Sequence, residues 1–419
     1  MINSRPLREI YHKCSFCRER IKESSEDNLI IQSLVDSNVF ICYKCLKELH
    51  DKINPIMVKK NDIKKKQDNK NKLPKPSEIK TYLNSYIIGQ DKAKEILSVA
   101  VYNHYKSIKI KEKEPNIELE KSNILMLGPS GCGKTAIVKA LSKMLNVPFA
   151  IGDATCLTEA GYVGSDVEVI LQKLLDNANG NVEEAQKGII YIDEIDKLSR
   201  KGPNISTTAS PGREGVQQSL LKMIEGSIID VQPKGNRKHP EAETVKIDTS
   251  NILFIVGGAF EGIEKIIDKR LKTGKSSIGF ESTIEKIIDK DYNKTITQVT
   301  VEDLKNFGML PEFLGRLPIV CPMEELTKEA LVRILTEPKN SLLKQYKRLL
   351  QEDNISLEFS KEALEAVANK ALKRKTGARS LRSILEEMLN SVMYKAPELS
   401  TNKIKVDYSK EKDFIIKNY

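Results

Sequence analysis

Asn123-Ile124-Leu125-Met126-Leu127-Gly128-Pro129-Ser130-Gly131-Cys132-Gly133-Lys134-Thr135 is the stretch that decides the fold. It opens as a compact apolar run, which reads as a buried strand, and closes as G-x4-G-K-T. Ala136 to Leu145 then reads as a helix. Strand, glycine-rich loop and helix in that order form the context a phosphate-binding loop requires. The glycines let backbone amides curl around phosphate oxygens, and the helix N-terminus adds its positive end. In such a loop Lys134 meets the β and γ phosphates and the Thr135 hydroxyl meets Mg²⁺. The expected nucleotide cradle therefore runs from Gly128 to Ala136.

Downstream, Gly188-Ile189-Ile190-Tyr191-Ile192 reads as a second buried strand and ends in Asp193-Glu194. An acidic residue at such a strand end holds Mg²⁺ in phosphate-loop ATPases, and a following Glu can polarise the attacking water. ATP hydrolysis, with Asp193 at the metal and Glu194 as activator, is the expected chemistry. From about residue 78 helices alternate with short apolar strands, which predicts an α/β fold: a parallel sheet with flanking helices. Tyr82 to Lys106 reads as a helix-rich entry interrupted by Ile87-Ile88-Gly89-Gln90. After Phe359 the pattern turns helical over Lys361 to Lys373 and Ala378 to Met393, and a short Lys- and Tyr-bearing tail follows.

Nearer the N-terminus, Cys14-x2-Cys17 and Cys42-x2-Cys45 stand 24 residues apart. Two knuckles of this spacing complete a tetrahedral S4 site that suits Zn²⁺, with a structural role because no coordination position stays open. Two disulfides or four reduced thiols are the other readings. His12 and His50 lie near but are expected at the surface, since four Cys already fill the site. A module of this size could scarcely build a core without the metal.

The chain has 419 residues, 68 Lys plus Arg against 58 Asp plus Glu, and a net charge of +10. Residues 51–77 hold nine Lys and three Asp, a net of +6, which leaves 10 − 6 = +4 for the rest. That stretch is too polar to fold and reads as a solvated linker; no aromatics interleave to stack on bases, so nucleic acid is not an expected partner. Apolar runs such as Ile189 to Ile192 fall far short of the ~20 residues a spanning helix needs. Met1 to Arg5 offers no apolar stretch for a signal peptide, so a reducing, cytoplasmic setting is expected.

From Cys14 to about Met393 the chain resembles the ClpX family of AAA+ protein unfoldases, which feed a ClpP-type peptidase. The four-cysteine head, Tyr86-Ile87-Ile88-Gly89-Gln90, the phosphate loop and Ile192-Asp193-Glu194 carry the resemblance in order. So do Gly161-Tyr162-Val163-Gly164, Arg237-Lys238-His239, Ile278-Gly279-Phe280, Gly315-Arg316 and Gly377-Ala378-Arg379. The resemblance implies a homo-hexameric ring that threads unfolded or tagged proteins, some brought by adaptors, through a central pore. It implies that Tyr162 and Val163 grip substrate, and that Arg237, Lys238 and His239 line the channel entrance. It makes Ile278, Gly279 and Phe280 the peptidase dock, and Arg316 a finger reaching a neighbour's nucleotide. Arg379 becomes a sensor of nucleotide state, and Ile87 and Ile88 join the nucleotide site.

Four segments are expected: a zinc-binding domain at 1–51, a linker at 52–77, a large ATPase domain at 78–322 and a small, mainly helical domain at 323–419. A stand-alone remodelling chaperone and a nucleic-acid motor or clamp loader are the competing functions. Four departures from the family pattern stand out. Strand Ile252 to Val256 ends in Gly257-Gly258, with no polar first-sensor residue. Ser210 to Gly215 is altered, and Ser380 stands where Gly is frequent. Cys132 replaces a small hydroxyl residue inside the phosphate loop. Either it fills the space of Ser or Thr, or the helix N-terminus and Lys134 lower its pKa and make an ATP-protected reactive thiolate.

Overall fold

The computed structural model describes residues 11–22, 30–33, 36, 38–50, 73–114, 116–117, 119–158, 165–199, 212–231, 244–273, 291–398, 403–409 and 413–418. Tyr162, Val163, Arg237, Lys238, His239, Ile278, Gly279 and Phe280 lie outside the described residues, as does most of 52–77. The chain forms two compact units that divide between Leu73 and Pro74.

In the first unit, strands β1 (Tyr11–Lys13) and β2 (Arg20–Lys22) pair antiparallel, as do β3 (Ile30–Gln32) and β4 (Phe40–Cys42). Among the described residues its buried apolar cluster is only Cys14, Ile21 and Cys42, with Ile30 and Cys45 packed against them. His12 stacks on Phe40 at 4.3 Å between ring centres, and His50 is exposed.

The second unit begins with helices α1 (Pro76–Asn84) and α2 (Asp91–Lys113), broken at the Ile87–Gln90 turn. Pro76 at the first helical position suits a helix start, and α1 begins two residues inside the expected linker. Strand β5 (Ile124–Leu127) runs through the phosphate loop into α3 (Lys134–Leu145). Then come β6 (Phe149–Asp153), α4 (Glu168–Asn177), β7 (Ile189–Asp193), α5 (Gly212–Glu225), β8 (Leu253–Gly258) and β9 (Ile319–Pro322). The five strands form one parallel sheet in the order β9-β5-β8-β7-β6.

Both faces of this sheet are covered, so its central strands are apolar without alternating with polar residues. Leu125, Ile190, Phe254 and their period-two mates face a core with α4 and α5. Met126, Tyr191 and Ile255 face a second core with α1, α2 and α3. Because β5 lies between β9 and β8, while the next strand in sequence sits at the far edge, the crevice at the C-terminal strand ends opens beside the phosphate loop.

A separate core follows, built by α6 (Lys328–Thr336), α7 (Leu342–Glu352), α8 (Lys361–Lys373) and α9 (Arg379–Lys395). The C-terminal tail adds strands to the domain expected to be mainly helical. Strand β10 (Ser356–Phe359) pairs parallel with β11 (Lys403–Ser409), which turns back antiparallel to β12 (Asp413–Asn418). Ile404 and Val406 are buried on alternate positions while Lys403 stands outward, a strand pattern masked by charge. Among the described residues no helix is long and apolar enough to cross a membrane.

Candidate functional site

The loop after β5 is shaped by backbone conformation first. Gly131 has φ +75°, and a Cβ there would collide with the Thr376 carbonyl oxygen and lie 3.0 Å from the Gly377 Cα. Only glycine serves both the left-handed geometry and that approach. The contact is sealed by the Ala378 N–H, which donates to the Gly131 carbonyl at 3.1 Å. The start of α9 is thereby fastened to the phosphate loop. Gln90, buried at the head of α2, exchanges two hydrogen bonds with the Glu324 backbone at 2.8 and 2.9 Å, tying α2 to the segment just past β9.

A cavity of about 440 Å³ opens at this corner. Ser130, Gly131, Gly133, Lys134, Thr135 and Ala136 form one wall, Asp193 and Glu194 another, and Arg379 a third. The Lys134 Nζ donates to the Gly128 and Pro129 carbonyls at 2.6 and 3.1 Å. The Thr135 hydroxyl donates to Asp193 Oδ2 at 3.2 Å. Glu194 sits in the left-handed region at φ +59°, ψ +31°, exposed at the cavity edge. A carboxylate, a hydroxyl, an ammonium and a guanidinium thus converge on one concave space, the donor set a polyphosphate with a hard cation calls for.

Gly128, Pro129, Cys132, Ile87, Ile88 and Arg316 do not line that cavity. Ile88 is buried, and Ile87 packs beside the core under α1 and α2. The Arg316 Nε pairs with Glu225 Oε1 at 2.9 Å on an exposed face. Of the two readings of Cys132, the structure favours the space-filling one. Its side chain turns into the apolar core, 3 % exposed, with Sγ 3.9 Å from the Met323 sulfur. Burial pushes the thiol's pKa up, and the Lys134 charge and N–H offset this only in part. Cys132 fills space.

Asp196, Lys197, Ala259, Glu261 and Ala378 complete the walls. Asp196 Oδ1 accepts the Ala259 N–H at 3.0 Å, joining the ends of β7 and β8. Its signal was available in sequence, as the third acid of Asp193-Glu194-Ile195-Asp196.

In the first unit Cys14, Cys17, Cys42 and Cys45 come together, with all four Sγ atoms within 4.8 Å of one another. Cys17 and Cys42 Sγ are 3.7 Å apart. Thiolates around a tetrahedral ion at about 2.3 Å stand about 3.8 Å from each other. The Cys42 N–H points at Cys14 Sγ and the Cys45 N–H at Cys42 Sγ, each at 3.4 Å. Burial would raise the Cys14 thiol, but N–H groups of Cys17, Cys42 and Phe16 hold it down to about 6. The residues fit an S4 metal centre.

Residues 119–320 match the family described as AAA domain (Cdc48 subfamily), and 326–408 match the C-terminal, D2-small domain of ClpB protein. A Treponema denticola protein called ATP-dependent Clp protease ATP-binding subunit ClpX is 47 % identical over 390 residues, 93 % of this chain and 91 % of that relative. The proteins of the same name from Borrelia duttonii and Borrelia recurrentis are each 50 % identical over 387 residues, 92 % of this chain and 87 % of theirs.

Proposed function

Because the chain belongs to the ClpX family of AAA+ ATPases, we propose that it uses ATP hydrolysis to unfold proteins and deliver them to a ClpP-type peptidase. The observation that carries this is the cavity where Lys134, Thr135, Asp193, Glu194 and Arg379 converge. Lys134 leaves its two carbonyl partners to take phosphate oxygens, while the loop amides hold the rest of the polyphosphate. Asp193 and Thr135 hold Mg²⁺, which when bound spreads the charge of the phosphates. Glu194, on its exposed shoulder, orients water for attack on the terminal phosphorus and accepts its proton.

Arg316 serves a neighbouring copy. It stands apart from its own chain's cavity, and its guanidinium is a charged, planar fork suited to a phosphoryl group in trans. That role requires a ring, for which a homo-hexamer is our reading. Arg379 reads nucleotide at the N-terminus of α9, and the bond from Ala378 to Gly131 passes the resulting shift to the helices around α9. Ile87 and Ile88 stand on the turn between α1 and α2, and we assign them to the rim around the base.

Tyr162 and Val163 turn this motion into a pull on substrate, with Arg237, Lys238 and His239 at the entrance and Ile278-Gly279-Phe280 docking the peptidase. The four-cysteine unit holds Zn²⁺ for structure. The working division is 1–51, 52–77, 78–322 and 323–419, with the separate cores of the second unit in support. Four free cysteines at one site fit a reducing compartment.

The test is reconstitution. Purified protein, ATP, a ClpP-type peptidase and a tagged fluorescent protein should give ATP-dependent loss of fluorescence and its degradation. Stimulation of ATPase activity by DNA, with none by unfolded protein, would sink the reading.

A further inference from the structure

Strand β8 ends in Gly257-Gly258, where a polar side chain beside the phosphate loop would be expected. The neighbouring strand supplies one. Tyr191 and Asp193 are two residues apart on β7, so both face α3. The Tyr191 ring is fully buried, and its hydroxyl donates to Asp193 Oδ1 at 3.1 Å. The Glu194 N–H donates to that same oxygen at 3.0 Å. Asp193 Oδ2 remains for the Thr135 hydroxyl. Gly257 provides the room: a Cβ there would collide with the Tyr191 hydroxyl and lie 2.8 Å from its Cζ.

We infer that Tyr191 is a positioning residue of the ATP site. Its hydroxyl pins one Asp193 oxygen, so that Oδ2 and the Thr135 hydroxyl stand ready as adjacent ligands for the divalent cation of the nucleotide. Gly257 is the gap that admits it. The inference rests on the nucleotide reading above. Oδ2 and Thr135 Oγ1 are 3.2 Å apart. Adjacent oxygens around an octahedral Mg²⁺, at 2.0–2.1 Å from the ion, are about 2.9 Å apart. Without the phenol, the carboxylate would be held by the Glu194 N–H and Thr135 alone and would be freer to rotate about its Cβ–Cγ bond.

Tyr191→Phe removes one oxygen and keeps the ring. The full-length protein is titrated with Mg²⁺ while binding of a fluorescent ATP analogue is followed, and binding is measured again in excess EDTA. Loss of such a partner of a metal ligand should raise half-saturating Mg²⁺ about tenfold. Analogue affinity in EDTA and the melting temperature should match the parent. Half-saturating Mg²⁺ within about twofold of the parent's would overturn the inference, as would an equal loss of EDTA-condition binding, the mark of a merely structural Tyr. A parent whose analogue binding ignores Mg²⁺ would overturn the nucleotide reading and this inference together. If Tyr191→Phe does not fold, Gly257→Ala tests the same bond by driving the hydroxyl off Asp193. A folded Gly257→Ala protein with parental Mg²⁺ dependence would end the idea.

Discussion

Replacing Glu194 with Asn should make the protein more stable and nearly inactive. Glu194 has φ +59° and ψ +31°, a left-handed conformation that its long side chain does nothing to favour. For an ordinary L-residue this costs about 1–2 kcal/mol, and Asn, whose short amide bonds locally, escapes much of it. Charge adds to the gain. The cavity wall carries four carboxylates, Asp193, Glu194, Asp196 and Glu261, against Lys134, Lys197 and Arg379. Relief of about 0.5–1 kcal/mol corresponds to a rise of roughly 1–4 °C in melting temperature for a domain of this size. Turnover should fall by about 10²–10⁴-fold, the usual loss when a general base is removed.

Glu194→Gln is the control, because it removes the charge but keeps the strained backbone. Melting of all three proteins without nucleotide, followed by fluorescence, and a coupled assay of phosphate release give the comparison. The excess of Asn over Gln in melting temperature isolates the backbone strain. If Asn melts no higher than Gln, the strain argument is wrong. If the Asn protein hydrolyses ATP at the parental rate, Glu194 is not the activator.

Mild alkylation of the native protein should label exposed Cys156 and spare Cys132 and Cys321, whose burial pushes both thiols up, Cys321 to about 12; labelling of Cys132 as fast as Cys156, mapped by mass spectrometry, would contradict its place in the core. A strong chelator should release Zn²⁺, open Cys14, Cys17, Cys42 and Cys45 to a thiol reagent and leave nucleotide binding intact; thiols already reactive in untreated protein would refute the S4 centre. Lys121 gives a pH effect. Burial brings its pKa down from 10.5 to about 7, so between those values the unfolded chain holds a proton that the folded chain lacks, and stability should rise with pH from about 7 upward. A neutral amine has two N–H bonds for the Ile224 and Thr249 carbonyls it meets at 3.1 and 2.7 Å. Urea unfolding at several pH values should show the rise in the parent and a weaker one in Lys121→Met; identical slopes would remove Lys121 as its cause.

The β5–loop–α3 unit was legible because two independent signals, an apolar run and fixed glycine spacing, fall in one short window. The two cysteine knuckles were legible from one signal, a spacing that lets each pair of thiols reach a single ion. β11 was missed for a physical reason: Lys403, Lys405 and Asp407 alternate with Ile404, Val406 and Tyr408, and charge drew attention from the period of two. Cys132 stayed open between space-filler and reactive thiolate because sequence places a residue on a helix entrance but does not say which way its side chain turns. In the structure it turns toward Met323, between Gly131 and Gly133, both at positive φ.

Tyr191 shows the remaining gap most clearly. Inside Ile189-Ile190-Tyr191-Ile192 it reads as one more core residue, and its ring is one. Its hydroxyl belongs to the site only because Asp193 follows at the strand period and a glycine faces it across the ladder. On the other face of β8, a Cβ on Gly258 would lie 2.8 Å from Asp196 Oδ1, the oxygen that takes the Ala259 N–H. The paired glycines therefore do one thing twice: each omits a side chain so that β7, or the turn after it, can place a polar group at the end of β8. A strand that ends without a polar residue can still border a polar site, because the group it lacks comes from its neighbour. Sequence lists the two halves of each contact more than 60 residues apart, and only the parallel register of β7 with β8 joins them.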